Sequence, residues 1–274
     1  MSSLNNLTVK HYSKENLYLQ IIKFFKSKNI DPIKLSLKDL ETIDQFHLGG
    51  IEATFDLIKN LKINSSTNIL DIGSGIGGSV RFIKNKFDAN VVGIDLTPEY
   101  IEVANKLNKI VGLNNSFQLG NALRIPFNKN YFDIVTLIHV GMNIENKFKL
   151  FQEVCKVLKP SGFFAIYDIM IVKKGKLNFP LPWATTSNIS FVDTKKKYIS
   201  LANNLGLVLK SEEVRIKFAM KYIKYYTDFL KSNGSVPQNL SLLMGENAKI
   251  KISNLFKAIR KGYLAPVELI FENR

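Results

Sequence analysis

The feature that most constrains this 274-residue chain is the segment Asn68-Ile-Leu-Asp-Ile-Gly-Ser-Gly-Ile-Gly-Gly-Ser79. A short apolar run enters Gly73, Gly75, Gly77 and Gly78, and helical apolar spacing follows. Glycines let a backbone turn sharply and approach a ligand with no Cβ in the way. The helix behind them offers free N–H groups and the positive end of its dipole to a polar ligand. The same rhythm continues along the chain. Strands are predicted at 68–72, 90–95, 115–119, 132–138 and 162–169, and helices at 77–86, 98–111 and 145–158. Such alternation predicts an α/β fold with a parallel sheet and helices on both faces.

Outside that rhythm, residues 12–30 and 36–62 show helical spacing, with Asp31-Pro32 between them. Residues 170–192 read as a loop, 194–206, 217–232 and 247–261 as helices, and 207–214 and 265–271 as strands. The expected organisation is an N-terminal helical cap over 1–62 and a main domain over 63–274, which carries a helical lid insert near 217–262.

Hydrophobic residues make up 46% of the chain and charged ones 22%, which excludes disordered and fibrous classes. The net charge of +15 would attract anionic partners, but the basic residues are dispersed and the longest run is Lys195–Lys197. A single cysteine, Cys155, forbids an internal disulfide, and its helical spacing reads as a packed thiol. With only His11, His47 and His139 available, no metal site is expected. The start lacks a signal-like apolar region and no run approaches membrane-spanning length. The expectation is a cytoplasmic protein without membrane insertion.

The glycine segment admits two chemistries. Gly73-x-Gly75-x-x-Gly78 satisfies the dinucleotide fingerprint. Against that, Asp71 precedes the first glycine, where dinucleotide enzymes keep the strand apolar. Asp95 ends the second strand about 20 residues past the loop, where an acid can accept ribose hydroxyls of either cofactor. Thr97-Pro98 supplies a better helix start than Asp95, which leaves that carboxylate for a ligand.

Over residues 65–170 the chain resembles class I S-adenosylmethionine-dependent methyltransferases. Asp71–Gly78 resembles their glycine motif, Asp95 their ribose acid, and Gly120-Asn-Ala122 their adenine-reading loop. Phe132-Asp-Ile-Val and Leu158-Lys-Pro-Ser-Gly-Phe resemble the entry to strand four and the turn before strand five. The resemblance implies a Rossmann-like sheet with S-adenosyl-L-methionine as donor. Gly73, Ser74, Gly75 and Gly77 would hold its methionine end with Asp71 near the amino group, Leu96 would lie against adenine, and Asn121 and Ala122 would read the base. Asn121 stands where the family usually has Asp. Asp44-Gln-Phe-His-Leu-Gly-Gly-Ile-Glu-Ala-Thr54 resembles a bacterial type-11 subgroup acting on small molecules, and more loosely sarcosine/dimethylglycine and phosphoethanolamine methyltransferases. In those relatives an N-terminal Tyr and a Gly-Gly segment close over the donor, which implies such roles for Tyr12, Gln45, Gly49 and Gly50.

Ligands of open α/β sheets bind outside the carboxyl ends of the strands, so residues after strand four should face the transferable methyl. His139 is the best-placed base and is also expected among the cofactor contacts, because an imidazole near its usual pKa of about 6.5 suits proton transfer; Tyr12 is the other catalytic candidate, and a histidine that only hydrogen-bonds the substrate or packs in the core is the alternative. Met142, Asn143, Phe179 and Trp183 are the expected acceptor contacts, Trp183 either stacking on the acceptor or anchoring its loop. Phosphoethanolamine enzymes carry His at the place of Asn143 and an acid at that of His139, so their substrate does not transfer. The function expected is N- or O-methylation of a small-molecule acceptor. A nucleic-acid methyltransferase, a non-catalytic donor-binding protein and a nicotinamide dehydrogenase are the alternatives. No Asn/Asp-Pro-Pro-aromatic motif and no aromatic-interleaved basic stretch supports a nucleic-acid partner. A homodimer is compatible with the sequence.

Overall fold

The structure, a computed structural model, describes residues 3–13, 16–233, 238–245 and 247–274. Four helices precede the sheet: α1 (Ser3–Tyr12), α2 (Leu17–Ser27), α3 (Leu37–Asp44) and α4 (Gly50–Ile58). Of the two helical stretches expected here, 12–30 holds one helix, α2, with α1 ending where that stretch begins, and 36–62 is broken in two. The chain enters α2 through Asn16 in the left-handed region, and 45–49 turn between α3 and α4 with Gly49 at φ 94°. A side chain at Gly49 would collide with the Phe218 ring. The α3 start is fixed by a capping box between Ser36 and Asp39.

The alternating part follows as β1 (Asn68–Ile72), α5 (Gly78–Phe87), β2 (Asn90–Asp95), α6 (Pro98–Ile110), β3 (Ser116–Leu119), β4 (Phe132–Ile138), α7 (Lys147–Val157), β5 (Leu158–Ile171), α8 (Lys195–Asn204) and β6 (Leu207–Val214). Then come α9 (Ile216–Asn233), α10 (Gln238–Met244), α11 (Ala248–Arg260) and β7 (Leu264–Asn273). Seven strands form one sheet in the order β3-β2-β1-β4-β5-β7-β6. Strand five starts earlier than expected, at Leu158, with a register shift between Phe132/Leu158 and Ile134/Phe163 and Ser161 at positive φ.

The sheet is not wholly parallel, as the rhythm alone suggested. β7 runs antiparallel between β5 and β6. The reason is topological: β6 points the same way as β5, so it ends at the carboxyl edge, and β7 begins again at that edge. The helices α9, α10 and α11, inserted between them, are therefore delivered to the ligand-binding edge of the sheet.

Helices cover both faces. On one, Val80, Ile83, Ile101 and Ala104 of α5 and α6 pack with Ala53, Leu57 and Ile58 of α4 on the sheet. On the other, α7 and α8 bury Leu150, Phe151, Val154, Tyr198 and Leu201. Thus α4, although it precedes β1, is a layer helix of the sheet; α1–α3 form the cap proper. Leu17, Ile21, Phe25, Leu40 and Ile43 of the cap share a cluster with Ile76, Val103, Leu107 and Leu243. That cluster joins cap, glycine loop, α6 and α10. No helix among the described residues is long and apolar enough to cross a membrane.

Candidate functional site

The strand order reverses between β1 and β4, and open α/β sheets bind ligands in the crevice at such a switch point. A cavity of about 330 Å³ lies there. Its floor is made by the ends of β1 (Asp71, Ile72), β2 (Ile94, Asp95) and β4 (Ile138, His139), with Gly73–Ile76 and Gly120–Leu123 around it. Thr8 and Tyr12 of α1, Phe46 and His47 of the α3–α4 turn, and Leu243 of α10 close it from above.

The glycine loop turns at the edge of β1 because Gly73, Gly75 and Gly77 all have positive φ. Gly73 N–H and Ser74 N–H donate to the Ile94 carbonyl at 2.7 and 2.9 Å, pinning the loop to β2. A side chain at Gly75 would meet no protein atom within 4 Å, so this position borders open space, as a ligand cradle requires. Side chains at Gly73 and Gly77 would instead strike Val140 and Phe117; Gly77 does not line the cavity, and its role is packing beneath the loop.

Asp95 holds the loop as well as facing the cavity. Its Oδ2 accepts from Gly75 N–H at 2.9 Å and its Oδ1 from Thr97 N–H at 2.8 Å. Thr97 occupies the helix N-cap position but makes no side-chain cap bond. Asp71 Oδ1 accepts from the Thr136 hydroxyl at 2.6 Å, and burial pushes its carboxyl up to about 7. Asn121 spends its side-chain oxygen on Leu123 N–H at 2.8 Å, forming a turn. That oxygen keeps a second lone pair, and Asn121, Ala122 and Leu96 all line the cavity.

On the acceptor side, His139 adopts φ 55°, a left-handed conformation that non-glycine residues rarely take. Its N–H is tied to the Tyr167 carbonyl at 2.8 Å, and its ring lies 5.8 Å from His47 and 5.2 Å from Tyr167. Nε2 of His139 is buried without a hydrogen-bond partner. Desolvation, with His47 adding to it, holds this imidazole well below its usual pKa. His47 is pushed down to about 4 by burial. Tyr12 OH donates to Asn143 Oδ1 at 3.1 Å, joining α1 to the loop after β4 across the cavity. Burial raises the Tyr12 phenol far above its usual value, so it stays protonated.

Several expected contacts lie elsewhere. Met142 and Trp183 are buried, Trp183 at 4% exposure, in the cluster beneath the lid with Ile223, Tyr226, Phe256 and Ile259. Phe179 packs at the edge of that cluster. Trp183 Nε1 donates to Ser190 Oγ at 2.9 Å, clamping its own loop. None of the three lines the cavity; from this loop Phe191 does instead. The reason is that α9 and α11 of the lid insert pack against the 179–191 loop in one apolar cluster. Gln45 and Gly50 also sit outside the lining.

Four buried groups carried no sequence signal of their own. Arg81, 1% exposed, lies in α5 and donates to Asp44 Oδ2 from Nε and Nη2 at 3.3 and 3.0 Å. Lys147 is buried beneath the acceptor loop and donates to the carbonyls of Ile144, at 2.9 Å, and Phe191. Beside it, Tyr198 OH donates to Asp168 Oδ2 at 2.9 Å. The side chains of Asp168 and Tyr198 sit where a side chain at Gly141 would be, which shapes the turn that carries Asn143.

Comparison with known proteins agrees with this geometry. Residues 70–166 match the family described as a methyltransferase domain. Phosphoethanolamine N-methyltransferase of Plasmodium falciparum is 35% identical over 134 residues, 46% of this chain and 48% of that protein. Ajmaline N-methyltransferase of Rauvolfia serpentina is 36% identical over 92 residues, 33% of this chain and 32% of that protein. The chain therefore spans less than half the length of either. Among solved structures, geranyl diphosphate C-methyltransferase from Streptomyces coelicolor aligns with a TM-score of 0.71 at 16% identity, covering 100% of this chain and 99% of that one. Phosphoethanolamine N-methyltransferase 2 of Haemonchus contortus aligns at 0.72 and 15% identity, covering 100% and 60%. At such identities the likeness is one of fold: a class I Rossmann-like methyltransferase sheet with helices on both sides.

Proposed function

We propose that the chain, whose residues 70–166 form a methyltransferase domain, transfers a methyl group from S-adenosylmethionine to a small-molecule acceptor. The observation that carries this reading is the cavity at the switch point, where the glycine loop, Asp71, Asp95 and Gly120–Ala122 line one compartment with His139 and Asn143. The residues present fit the donor: the space beside Gly75 is open, and Ser74 Oγ and Tyr100 OH are buried there with no hydrogen-bond partner. Asp95 would hold the ribose, the glycine loop and Asp71 the methionine end, and Leu96 and Ala122 the adenine.

When bound, S-adenosylmethionine supplies a methyl group activated by its sulfonium. The protein's part is alignment, exclusion of water and custody of one proton. Alignment is the larger contribution, worth several kcal/mol when the nucleophile is held in line. The Tyr12–Asn143 bond closes the compartment over the acceptor, with Tyr12 acting as a protonated phenol and not as a base. Neutral His139, in the tautomer that leaves Nε2 free, would accept a hydrogen bond from the acceptor's N–H or O–H and would take up the proton that the acceptor releases on being methylated.

The acceptor's charge follows from the lining. Its charged members among the described residues are Asp44, Asp71, Asp95 and Glu145, with no Lys or Arg, in a chain of net charge +15. With Asp71 and Asp95 given to the donor, an acceptor bearing phosphate would still find no cation in the lining. The supported acceptor is neutral or cationic, unlike the phosphate-bearing substrates that name the Plasmodium and Streptomyces proteins. Enclosure by α1 and α10 supports a small molecule over a polymer. Calorimetry with S-adenosylhomocysteine and NAD, followed by labelled-methyl transfer to paired acceptors such as ethanolamine and phosphoethanolamine, tests this. Binding of NAD instead, or methylation confined to phosphorylated acceptors or tRNA, would overturn it; donor binding with no transfer to any acceptor would favour a non-catalytic sensor.

A further inference from the structure

Asp44, the last residue of α3, is 8% exposed and lines the donor compartment. Its Oδ2 is occupied by the Arg81 guanidinium, which also donates to the carbonyls of Ile76 and Ala104 and to Asn108 Oδ1. Its Oδ1 has no hydrogen-bond partner, and is the one buried carboxylate oxygen among the described residues in that condition. Leaving a buried acceptor unmatched is costly, and more so for a charged group. Burial pushes the Asp44 carboxyl up to about 6 in spite of Arg81 and of the neighbouring Gln45 side chain. A ligand cation would remove that cost.

The position is held by design of the backbone. A side chain at Gly78 would collide with the Asp44 carbonyl and sit against Oδ1, so the end of α3 rests directly on the start of α5. Each of the other lining carboxylates differs from it: Asp95 has both oxygens on backbone N–H groups of Gly75 and Thr97, Asp71 Oδ1 accepts from Thr136, and Glu145 is exposed at the rim. Resting on the donor reading above, we propose that Asp44 Oδ1 receives the ammonium group of the donor's methionine end, so that Arg81, Asp44 and the ligand form a buried line of alternating charge. Because Asp44 belongs to the cap and Arg81 to the sheet domain, this contact ties closure of the cap to a complete amino-acid tail on the ligand.

The test compares two ligands that differ only in that tail, S-adenosylhomocysteine and 5′-methylthioadenosine, by calorimetry on the full chain and on Asp44→Asn. The proposal expects Asp44→Asn to weaken S-adenosylhomocysteine at least ten-fold and to leave 5′-methylthioadenosine within two-fold. Unchanged or tighter S-adenosylhomocysteine binding, or equal loss for both ligands, overturns it while the donor reading stands. If the wild-type chain binds neither ligand, the donor reading falls and this proposal with it. Should Asp44→Asn not fold, a crystal structure of the wild type with S-adenosylhomocysteine decides: the ammonium within hydrogen-bond distance of Asp44 Oδ1 supports the assignment, and an ammonium held only by Asp71 and the loop carbonyls removes it.

Discussion

Asp95 holds the glycine loop and also lines the cavity proposed for the donor. Both its oxygens already accept backbone N–H groups, and its remaining lone pairs face the cavity. Asp95→Asn should weaken S-adenosylhomocysteine by about 1.5–3 kcal/mol, the usual worth of hydrogen bonds to a charged group, as read by calorimetry. Gly75→Val acts differently. No protein atom opposes the new side chain, but φ 54° strains a β-branched residue, at about 1–3 kcal/mol of folding stability. The variant should keep its circular dichroism and lose donor binding; normal affinity would remove the loop from the site. His139→Ala should lower turnover while donor affinity holds. Since burial keeps this imidazole neutral well below pH 6.5, turnover at saturating donor should show no acidic limb near that pH; a limb there that vanishes in His139→Ala would contradict a buried neutral base.

At the scale of elements, the lid changes what its neighbours do. Trp183 reads in sequence as a residue of an exposed loop, and either fate was open to it. Packed with α9 and α11 residues, it supports the loop that presents Phe191 to the cavity. Trp183→Ala should therefore cost about 3–5 kcal/mol of stability, the usual penalty for truncating a buried aromatic, measured by urea unfolding. An acceptor Michaelis constant raised many-fold with stability unchanged would restore direct contact. The lid's α10 also reaches the cap, through Leu243 among Leu40, Ile43 and Ile76, so cap and lid close the same compartment from two sides.

Across the whole molecule, burial sets the protonation of the acids at the cavity floor. Burial raises Asp71 to about 7, above its unfolded value near 3.8. The folded chain then binds the Asp71 proton more tightly than the unfolded one, so this contribution to stability is full at low pH and is lost as pH rises through about 7. The difference in unfolding free energy between wild type and Asp71→Asn should shift in favour of the wild type by on the order of 1 kcal/mol from pH 8 to pH 6. A difference independent of pH would mean that Asp71 is ionised throughout. Asp71 sits within β1 and is held there by the Thr136 hydroxyl of β4, so its protonation is read directly in the stability of the sheet.

The strands, the glycine loop and the acids at the ends of β1 and β2 were legible in the sequence because they rest on local causes: apolar runs, backbone freedom at Gly73 and Gly75, and a fixed spacing to Asp95. The sequence alone also placed His139 and Asn143 after β4, since the carboxyl edge of a parallel strand is set by chain direction. What lay beyond it was decided by contacts distant along the chain. The antiparallel β7 follows from where the lid re-enters the sheet, not from any pattern within 264–273. Met142, Phe179 and Trp183 turned from acceptor contacts into packing because α9 and α11, far along the chain, cover them. Arg81 and Asp44, 37 positions apart, look like ordinary surface charges in their helices. Only the docking of the cap on the glycine loop removes both from water and leaves one carboxylate oxygen without a partner, because burial is a property of the assembled fold and not of a segment.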